Sequence, residues 1–446
     1  MFKRSILSNL QAWATSSNRK PLVLRGARQV GKTSVVNEFG KEFDNYLYLN
    51  LENPASRLLF ERDVPIDALL TLIFAHVNQK KHDGTTLIFI DEIQNSPAAI
   101  SKLRYFYEER PDIFIISAGS LLENVIDIHK SFPVGRVQYM AMRPCSFKEF
   151  LWALGKEQLA GMLTKPEMSV ALHPQLMGLF NTYTLIGGMP EAVAQYADNR
   201  DVVALEDVYE TLLQGYRDDV EKYAVTRADI NIIRFLLTAG WQKAGETITL
   251  GNFAGSNYRA KDIAEAFRVM GKAMLSELVY PTSSTCVPAI GETSRAPKLI
   301  WLDTGLVNYA AGIQREILDS TDILDAWRGR VAEQIVAQEL LSQSDKVSQT
   351  RSFWSRNSKE SSAEVDFLWQ YNSKLYPIEV KAGHNAHLKS LHSFIDRSNN
   401  DVAIRVWSQP FSIDEVQTSA GKPFKLINLP FYLVGHLEQV IDALNI

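Results

Sequence analysis

A short loop bracketed by two glycines stands near the start of the chain. Gly26 and Gly31 are separated by four residues, and Lys32 and Thr33 follow directly. Glycine lets the backbone approach a phosphate closely, and the N–H groups at the start of the next helix point towards an anion. Lysine at this spacing supplies a charge for the β- and γ-phosphates, and threonine a hydroxyl for Mg²⁺. The pattern predicts a P-loop that binds ATP and Mg²⁺ through these residues: Gly26, Ala27, Arg28, Gln29, Val30, Gly31, Lys32, Thr33 and Ser34.

Two adjacent carboxylates form a second candidate group. Asp91 and Glu92 directly follow four apolar residues, which suit a strand buried on both faces of a parallel sheet. Because α/β sheets bind ligands at the carboxyl ends of their strands, we expect these acids beside the P-loop. Asp91 would then hold Mg²⁺, and Glu92 would orient or deprotonate the attacking water. The alternative is a strand end with two solvated acids.

Two further positions could contact the phosphates. The apolar run 113–116 ends in a serine- and glycine-rich stretch, in which Ser117 or Ser120 could sense the γ-phosphate. The alternative for this stretch is an ordinary turn from strand to loop. Arg136 follows a loop punctuated by proline and glycine, and it could reach phosphate charge in cis or from a neighbouring subunit of a homo-oligomer. Its alternative is a surface arginine.

A third group of chemically capable residues lies near the end of the chain. Residues 364–369 and 374–381 read as two antiparallel strands joined by a turn at 371–373. Side chains alternate faces along a strand, so this hairpin brings Asp366, Glu379 and Lys381 together. Two acids that hold Mg²⁺ and a lysine that activates water suit cleavage of a phosphodiester. The alternative is an inert hairpin with a surface Glu/Lys pair, and the nearby histidines 384, 387 and 392 are expected on the surface.

The elements that must position these groups follow from the apolar pattern. Residues 22–24, 46–51, 86–90 and 113–116 read as strands, and 2–17 and 66–79 as amphipathic helices. Residues 151–215 read as helices interrupted by a turn at 187–190. Residues 216–285 read as three helical elements and an extended piece, a winged-helix outline whose third helix spans 260–278. That helix has a basic face that could lie on DNA or RNA phosphates or be a solvated surface: Arg259, Lys261, Arg268 and Lys272.

Composition narrows the class of protein. A chain of 446 residues is too long to form a single hydrophobic core, so several domains are expected. A composition of 46% hydrophobic and 22% charged residues indicates a folded protein. A net charge of −4 excludes a globally basic nucleic-acid coat but not a local basic groove. Cys145 and Cys286 form no metal or redox pair, which favours a reducing compartment. Without an apolar signal region or membrane-length run, we expect a cytoplasmic protein with no membrane partner.

Several strings resemble a known family. Residues 26–33, 87–92, 117–123, 133–137 and 144–150 are similar to the AAA+-like P-loop ATPases of prokaryotes, in the branch with a C-terminal restriction-endonuclease-like domain of unknown function. The similarity continues through 187–191 and 302–306. It implies an α/β protein in four parts: a parallel-sheet P-loop ATPase core at 1–150, a helical lid at 151–215, a winged-helix-like domain at 216–290 and an α/β nuclease-like domain at 291–446.

The C-terminal hairpin resembles the PD-(D/E)XK nuclease core. By position, Asp366, Glu379 and Lys381 match its motif, and Glu333 matches the metal-binding acid of the preceding helix. The usual Pro-Asp is here Val365-Asp366, and domains of this kind often keep the fold and lose the activity. The resemblance therefore leaves open whether the site cuts nucleic acid.

These observations support two hypotheses. In the first, the chain hydrolyses MgATP and acts on or senses nucleic acid through its later domains. In the second, it is a nucleotide-dependent regulatory or protein-interaction switch with an inactive nuclease-like domain. A phosphotransferase is disfavoured because the acid pair after the strand suits water activation and no lid motif for an acceptor substrate is visible.

Overall fold

The structure, a computed structural model, describes residues 2–119, 133, 135–224, 226–314, 330–356, 363–381 and 388–445. Three residues singled out above lie outside these ranges: Ser120, His384 and His387. The chain divides into two compact units. The first comprises residues 1–143 with the short segments 272–274 and 344–348, and the second comprises the rest. Apart from 272–274 and 344–348, the described residues of the three domains predicted after residue 150 fall within the second unit, and the boundaries between those domains stay predictions.

Five described strands form one parallel sheet in the first unit, in the order β2-β3-β4-β1-β5. The strands are β1 (Leu22–Arg25), β2 (Asn45–Asn50), β3 (Thr86–Asp91), β4 (Phe114–Gly119) and β5 (Gln138–Ala141). The helices are α1 (Ile6–Thr15), α2 (Lys32–Phe39), α3 (Pro54–Glu61), α4 (Ile66–His76) and α5 (Pro97–Glu109), with 3₁₀ turns at Gly40–Glu42 and Ile93–Asn95.

Burial explains why the apolar runs become central strands. Every residue of β1 and β3 is buried, so both faces of these strands are covered. The four strands predicted from apolar runs are confirmed to within three residues at each end. Because β1, β3 and β4 are parallel, their carboxyl ends meet at one edge of the sheet. The P-loop and the acid pair both begin at this edge.

The second unit begins with a series of helices. The turn predicted at 187–190 is confirmed, because one helix ends at Ile186 and the next begins at Pro190. These helices are α6 (Phe147–Ala153), α7 (Glu157–Met162), α8 (Pro166–Ser169), α9 (His173–Ile186), α10 (Pro190–Asn199), α11 (Glu206–Asp218), α12 (Val220–Tyr223), α13 (Arg227–Ala239) and α14 (Ala260–Lys272). Short 3₁₀ turns lie at Val170–Leu172, Val203–Leu205, Trp241–Lys243 and Phe253–Gly255.

The helix predicted over 260–278 is too long. Helix α14 ends at Lys272, and Met274 has a left-handed backbone with φ +58°. Strand β6 (Ser276–Val279) then pairs antiparallel with β8 (Lys298–Trp301), where Leu278 lies opposite Leu299. The apolar residues that continue the helical pattern after Met274 therefore belong to a strand.

A mixed sheet of seven described strands dominates the rest of the second unit, in the order β13-β14-β12-β11-β10-β9-β7. The predicted hairpin is confirmed, and its turn residues Asn372 and Ser373 have φ of +45° and +61°. The strands are β7 (Pro281–Thr282), β9 (Ser352–Ser355), β10 (Glu364–Tyr371), β11 (Lys374–Lys381), β12 (Val402–Trp407), β13 (Ser412–Gln417) and β14 (Pro423–Pro430). The helices are α15 (Thr304–Ala310), α16 (Arg330–Ser342), α17 (Lys389–Arg397) and α18 (Leu437–Ala443), and a 3₁₀ helix spans Phe431–His436.

No helix in the described ranges is long and apolar enough to cross a membrane.

Candidate nucleotide site and carboxylate cluster

The predicted P-loop connects β1 to α2 with an unusual backbone. Gly31 has φ +93°, in the left-handed region that glycine adopts without strain, and Gln29 has φ +64°. A Cβ atom on Gly26 would lie 2.4 Å from the Met142 carbonyl oxygen, so only glycine fits there. Both glycines of the motif therefore meet a physical requirement of the loop.

Lys32 lies folded over this loop. Its Nζ donates to the Gly26 carbonyl at 2.9 Å and to the Ala27 carbonyl at 2.8 Å, and the residue is 8% exposed. Burial lowers the pKa of Lys32 to about 8, although Glu92 and Asp91 act in the opposite direction. The ammonium is thus held at the loop by weak neutral acceptors, which a phosphate anion would outcompete.

The first turn of α2 meets the end of β3. Thr33 Oγ1 donates to Asp91 Oδ2 at 2.7 Å, and Tyr48 Oη donates to the same oxygen at 3.3 Å. The predicted proximity of P-loop and acid pair is present. Hydroxyl and carboxylate oxygens are the donors that Mg²⁺ prefers, so Thr33 and Asp91 fit the cation that a P-loop implies.

Glu92, the predicted base, has a left-handed backbone with φ +53° and ψ +43°. Such a conformation is uncommon for a side chain of this size and often marks a functional position. Its backbone N–H donates to Asp91 Oδ1 at 3.1 Å, and Gln94 Nε2 donates to its carboxylate at 2.5 Å. Gln94, which the sequence analysis missed, therefore restrains the carboxylate.

Arg4 is a second residue that the sequence analysis missed. It is 4% exposed, and its guanidinium donates to the Val30 carbonyl at 3.0 Å and to the Arg143 carbonyl at 2.8 Å. It thereby ties the middle of the P-loop to the segment after β5. An arginine beside an amphipathic helix carries no sequence signal for this role.

The structure does not support the predicted phosphate contact of Ser117. Its hydroxyl is buried within the sheet and donates to the Leu22 carbonyl at 3.2 Å. Arg136 lies on the surface and forms an ion pair with Glu108 of α5 at 3.1 Å. A contact from Arg136 to the nucleotide of a neighbouring subunit stays a prediction.

The C-terminal candidates come together in the second unit, with two additions, Lys298 and Glu364. Lys298 of β8 places its Nζ 2.8 Å from Glu333, 2.9 Å from Glu364 and 3.4 Å from Asp366 Oδ1. Its side chain is 3% exposed. Burial alone would lower the pKa of Lys298, but Asp366, Glu333 and Glu364 outweigh it and raise that pKa. This ammonium is therefore a permanent charge in contact with two of the predicted metal ligands, Glu333 and Asp366.

The remaining predicted residues of this cluster pair with each other. Lys381 Nζ lies 2.6 Å from Glu379 Oε1, and Asp366 Oδ2 accepts the backbone N–H of Val380 at 2.8 Å. Glu379 is 4% exposed, and its Oε2 has no hydrogen-bond partner among the residues that the structure describes. Burial, as the larger cause, and the nearby Asp366 charge, as the smaller one, raise the pKa of Glu379 to about 7.

The metal ligation predicted for Glu333, Asp366 and Glu379 does not match this arrangement. Within the described ranges, no group of three or more histidine, cysteine or acidic residues is placed to hold a metal ion. The nearby His392 packs its ring against Phe424, at 5.5 Å between centroids.

The basic face predicted for the third helix is partly neutralised. Arg259 pairs with Asp262 at 2.9 Å, and Arg268 pairs with Glu265, each three residues apart on or beside α14. Exposed pairs of this kind are weak, but they lower the positive potential that a nucleic-acid backbone would meet.

Comparisons with known families agree with a P-loop domain in the first unit and give no described function for the second unit. Residues 18–151 match the family model described as AAA domain. Two further models, each described only as a domain of unknown function, match residues 177–316 and 328–419. No curated protein matches the chain significantly. The N-terminal part is therefore a parallel-sheet P-loop domain that is similar to AAA domains.

Two solved structures are similar at low identity. The Walker-type ATPase of Pyrococcus abyssi is 16% identical, with a TM-score of 0.42 over 70% of this chain and 96% of its own. The RuvB Holliday junction branch migration motor of Thermotoga maritima is 13% identical, with a TM-score of 0.28 over 62% of this chain and 90% of its own. At these scores neither likeness assigns an activity to this chain.

Proposed function

We propose that this chain binds and hydrolyses ATP at residues 26–34 and that this hydrolysis drives a regulatory switch. The observation that carries the proposal is the hydrogen bond between Thr33 and Asp91 at 2.7 Å, beside a lysine folded over the same loop. This contact joins the two motifs that nucleotide hydrolysis needs.

Each group has a defined chemical task. The Lys32 ammonium and the loop N–H groups bind the phosphate oxygens, and the Glu92 carboxylate orients a water and accepts its proton as the oxygen attacks the γ-phosphorus. The bond between the γ-phosphorus and the β,γ-bridging oxygen breaks, which gives ADP and phosphate. Mg²⁺, held by Thr33 and Asp91 when bound, would neutralise phosphate charge.

Replacement of Lys32 by methionine is expected to abolish stabilisation by MgATP. A ligand present at about 100 times its Kd stabilises a protein by about 2.7 kcal/mol, which a thermal unfolding scan detects as a higher Tm. Lys41→Met is the matched control, because Lys41 is exposed and pairs with Glu38. The proposal fails if MgATP raises the Tm of Lys32→Met as much as that of Lys41→Met.

ATP affinity is expected to fall as the pH rises above about 8. In the free protein the pKa of Lys32 is about 8, and bound phosphate must raise it because the anion favours the charged ammonium. Binding then requires proton uptake above that pH, and affinity falls up to about tenfold per pH unit. Calorimetric titration from pH 7 to 9.5 measures the slope, and a pH-independent Kd would contradict it.

The contacts of the second unit favour a regulatory module over a nuclease. Arg259, just before α14, and Arg268 on α14 are already paired. Lys298 also pairs with two of the predicted metal ligands, Glu333 and Asp366. Nucleic-acid cleavage remains a second candidate, because Asp366, Glu379 and Lys381 do converge. Labelled DNA and RNA incubated with Mg²⁺ and ATP discriminate the two, since cleavage lost in Asp366→Asn would establish the nuclease.

A further inference from the structure

We infer that Lys298 is the built-in cation of the C-terminal carboxylate cluster, and that its presence excludes a divalent metal ion from it. The cluster comprises Glu333, Glu364, Asp366 and Glu379. The inference is independent of ATP hydrolysis in the first unit.

The ammonium is placed as a coordinated cation would be. Three carboxylates from two different elements surround it, with Glu333 on α16 and Glu364 and Asp366 on β10. Nζ also lies 3.5 Å from the Asp366 carbonyl oxygen. Its three hydrogens can thus be satisfied by oxygen atoms, which is what a buried ammonium requires.

Aromatic rings complete the surroundings of this ammonium. Nζ lies 4.9 Å from the centroid of Phe353 and 5.7 Å from that of Phe367. Both distances are within the range of cation–π attraction, which is strongest where water is excluded. The site therefore favours a monovalent organic cation supplied by the chain itself.

A divalent ion would meet two obstacles here. It would stand beside a buried ammonium, and repulsion between like charges is strong in a low-dielectric interior. The carboxylate oxygens are also engaged, because Glu333 and Glu364 accept from Lys298 and Asp366 Oδ2 accepts from Val380. Removal of the ammonium would lift both obstacles in part.

Glu379 shows that the cluster could accept a metal if Lys298 were absent. Its Oε2 is buried and finds no hydrogen-bond partner within the described part of the chain, although Oε1 contacts Lys381. Together with the oxygens that Lys298 releases, it would provide the hard donors that Mg²⁺ and Mn²⁺ take. Removal of the Lys298 side chain is therefore the change that should let the cluster take a metal ion.

Mn²⁺ binding to the full chain without nucleotide, measured by electron paramagnetic resonance, tests the inference. All variants carry Asp91→Asn, which removes metal bound at the P-loop. With Lys298 present, Asp366→Asn and Glu379→Gln should leave the number of bound Mn²⁺ ions unchanged. Lys298→Met should gain about one Mn²⁺ per chain, and addition of Asp366→Asn should weaken that site about tenfold or more.

Two results would overturn the inference. One is a Mn²⁺ ion bound with Lys298 present and lost in Asp366→Asn or Glu379→Gln. The other is a folded Lys298→Met variant that gains no metal, where folding is checked by circular dichroism and a cooperative melt. If Lys298→Met does not fold, the comparison of the two acid variants with their Lys298-containing parent decides the question.

Discussion

Replacement of Glu92 by glutamine is expected to slow ATP hydrolysis by about 10²- to 10⁴-fold and to leave ATP binding nearly unchanged. Glutamine keeps the size of the side chain but cannot accept a proton from water. The phosphate-binding groups, Lys32 and the loop N–H donors, are unaltered by the change. The expected signature is therefore a loss in kcat with little change in Kd.

The measurement combines phosphate release under saturating MgATP with ATP binding by calorimetry. Glu61→Gln is the matched control, because Glu61 is an exposed acid at the end of α3. Loss of binding in Glu92→Gln would indicate that Glu92 holds the loop rather than the water. Unchanged turnover would show that another group activates the water.

The nucleotide motifs were predictable because their chemistry is local. Gly26 and Gly31 stand at a fixed spacing that few loops other than a phosphate-binding one require, and the structure gives both a steric reason. The hairpin of β10 and β11 was predictable for a similar reason, since alternation of side chains and a two-residue turn fix the register. In both cases neighbouring residues in the sequence determine the geometry.

The residues that were missed act over long separations in the sequence. Lys298 lies 35 residues from Glu333 and 68 from Asp366, and only the packing of β8 near the sheet brings them together. Arg4 contacts a carbonyl 26 residues away. The prediction of a helix over 260–278 was too long for another reason. The helical spacing of apolar residues continues across the turn at Met274, because the strand that follows also buries apolar residues.

Asp303 is an acid within the second unit that joins two turns. It is fully buried, and its carboxylate accepts the backbone N–H of Gly188 at 2.5 Å, that of Leu306 at 3.1 Å and the side-chain amide of Gln338 at 3.3 Å. A Cβ atom on Gly187 would lie 2.2 Å from this carboxylate. Glycine at 187 is therefore required for the close approach of the turn to the acid.

Replacement of Asp303 by alanine is expected to lower the free energy of unfolding by about 3–5 kcal/mol. Three buried donors would lose their acceptor, and each unsatisfied donor costs about 1–3 kcal/mol, part of which relaxation and water recover. Urea unfolding measures the loss. Asp303→Asn is the matched control, since its amide retains one acceptor oxygen and the loss should be smaller.

The dependence of stability on pH separates the charge of Asp303 from its hydrogen bonds. Burial raises the pKa of Asp303 to about 6, although the N–H groups of Gly188 and Leu306 act against the rise. Between about pH 4 and 6 the folded protein therefore holds a proton that the unfolded chain releases. The free energy of unfolding falls as the pH rises through this range, by up to about 1.4 kcal/mol per pH unit. Glu339 and Tyr183 lie in the same buried network and are common to both proteins, so the difference between the parent and Asp303→Asn isolates this carboxylate. Equal slopes in the two proteins would show that Asp303 is ionised throughout and that its hydrogen bonds alone hold the turns.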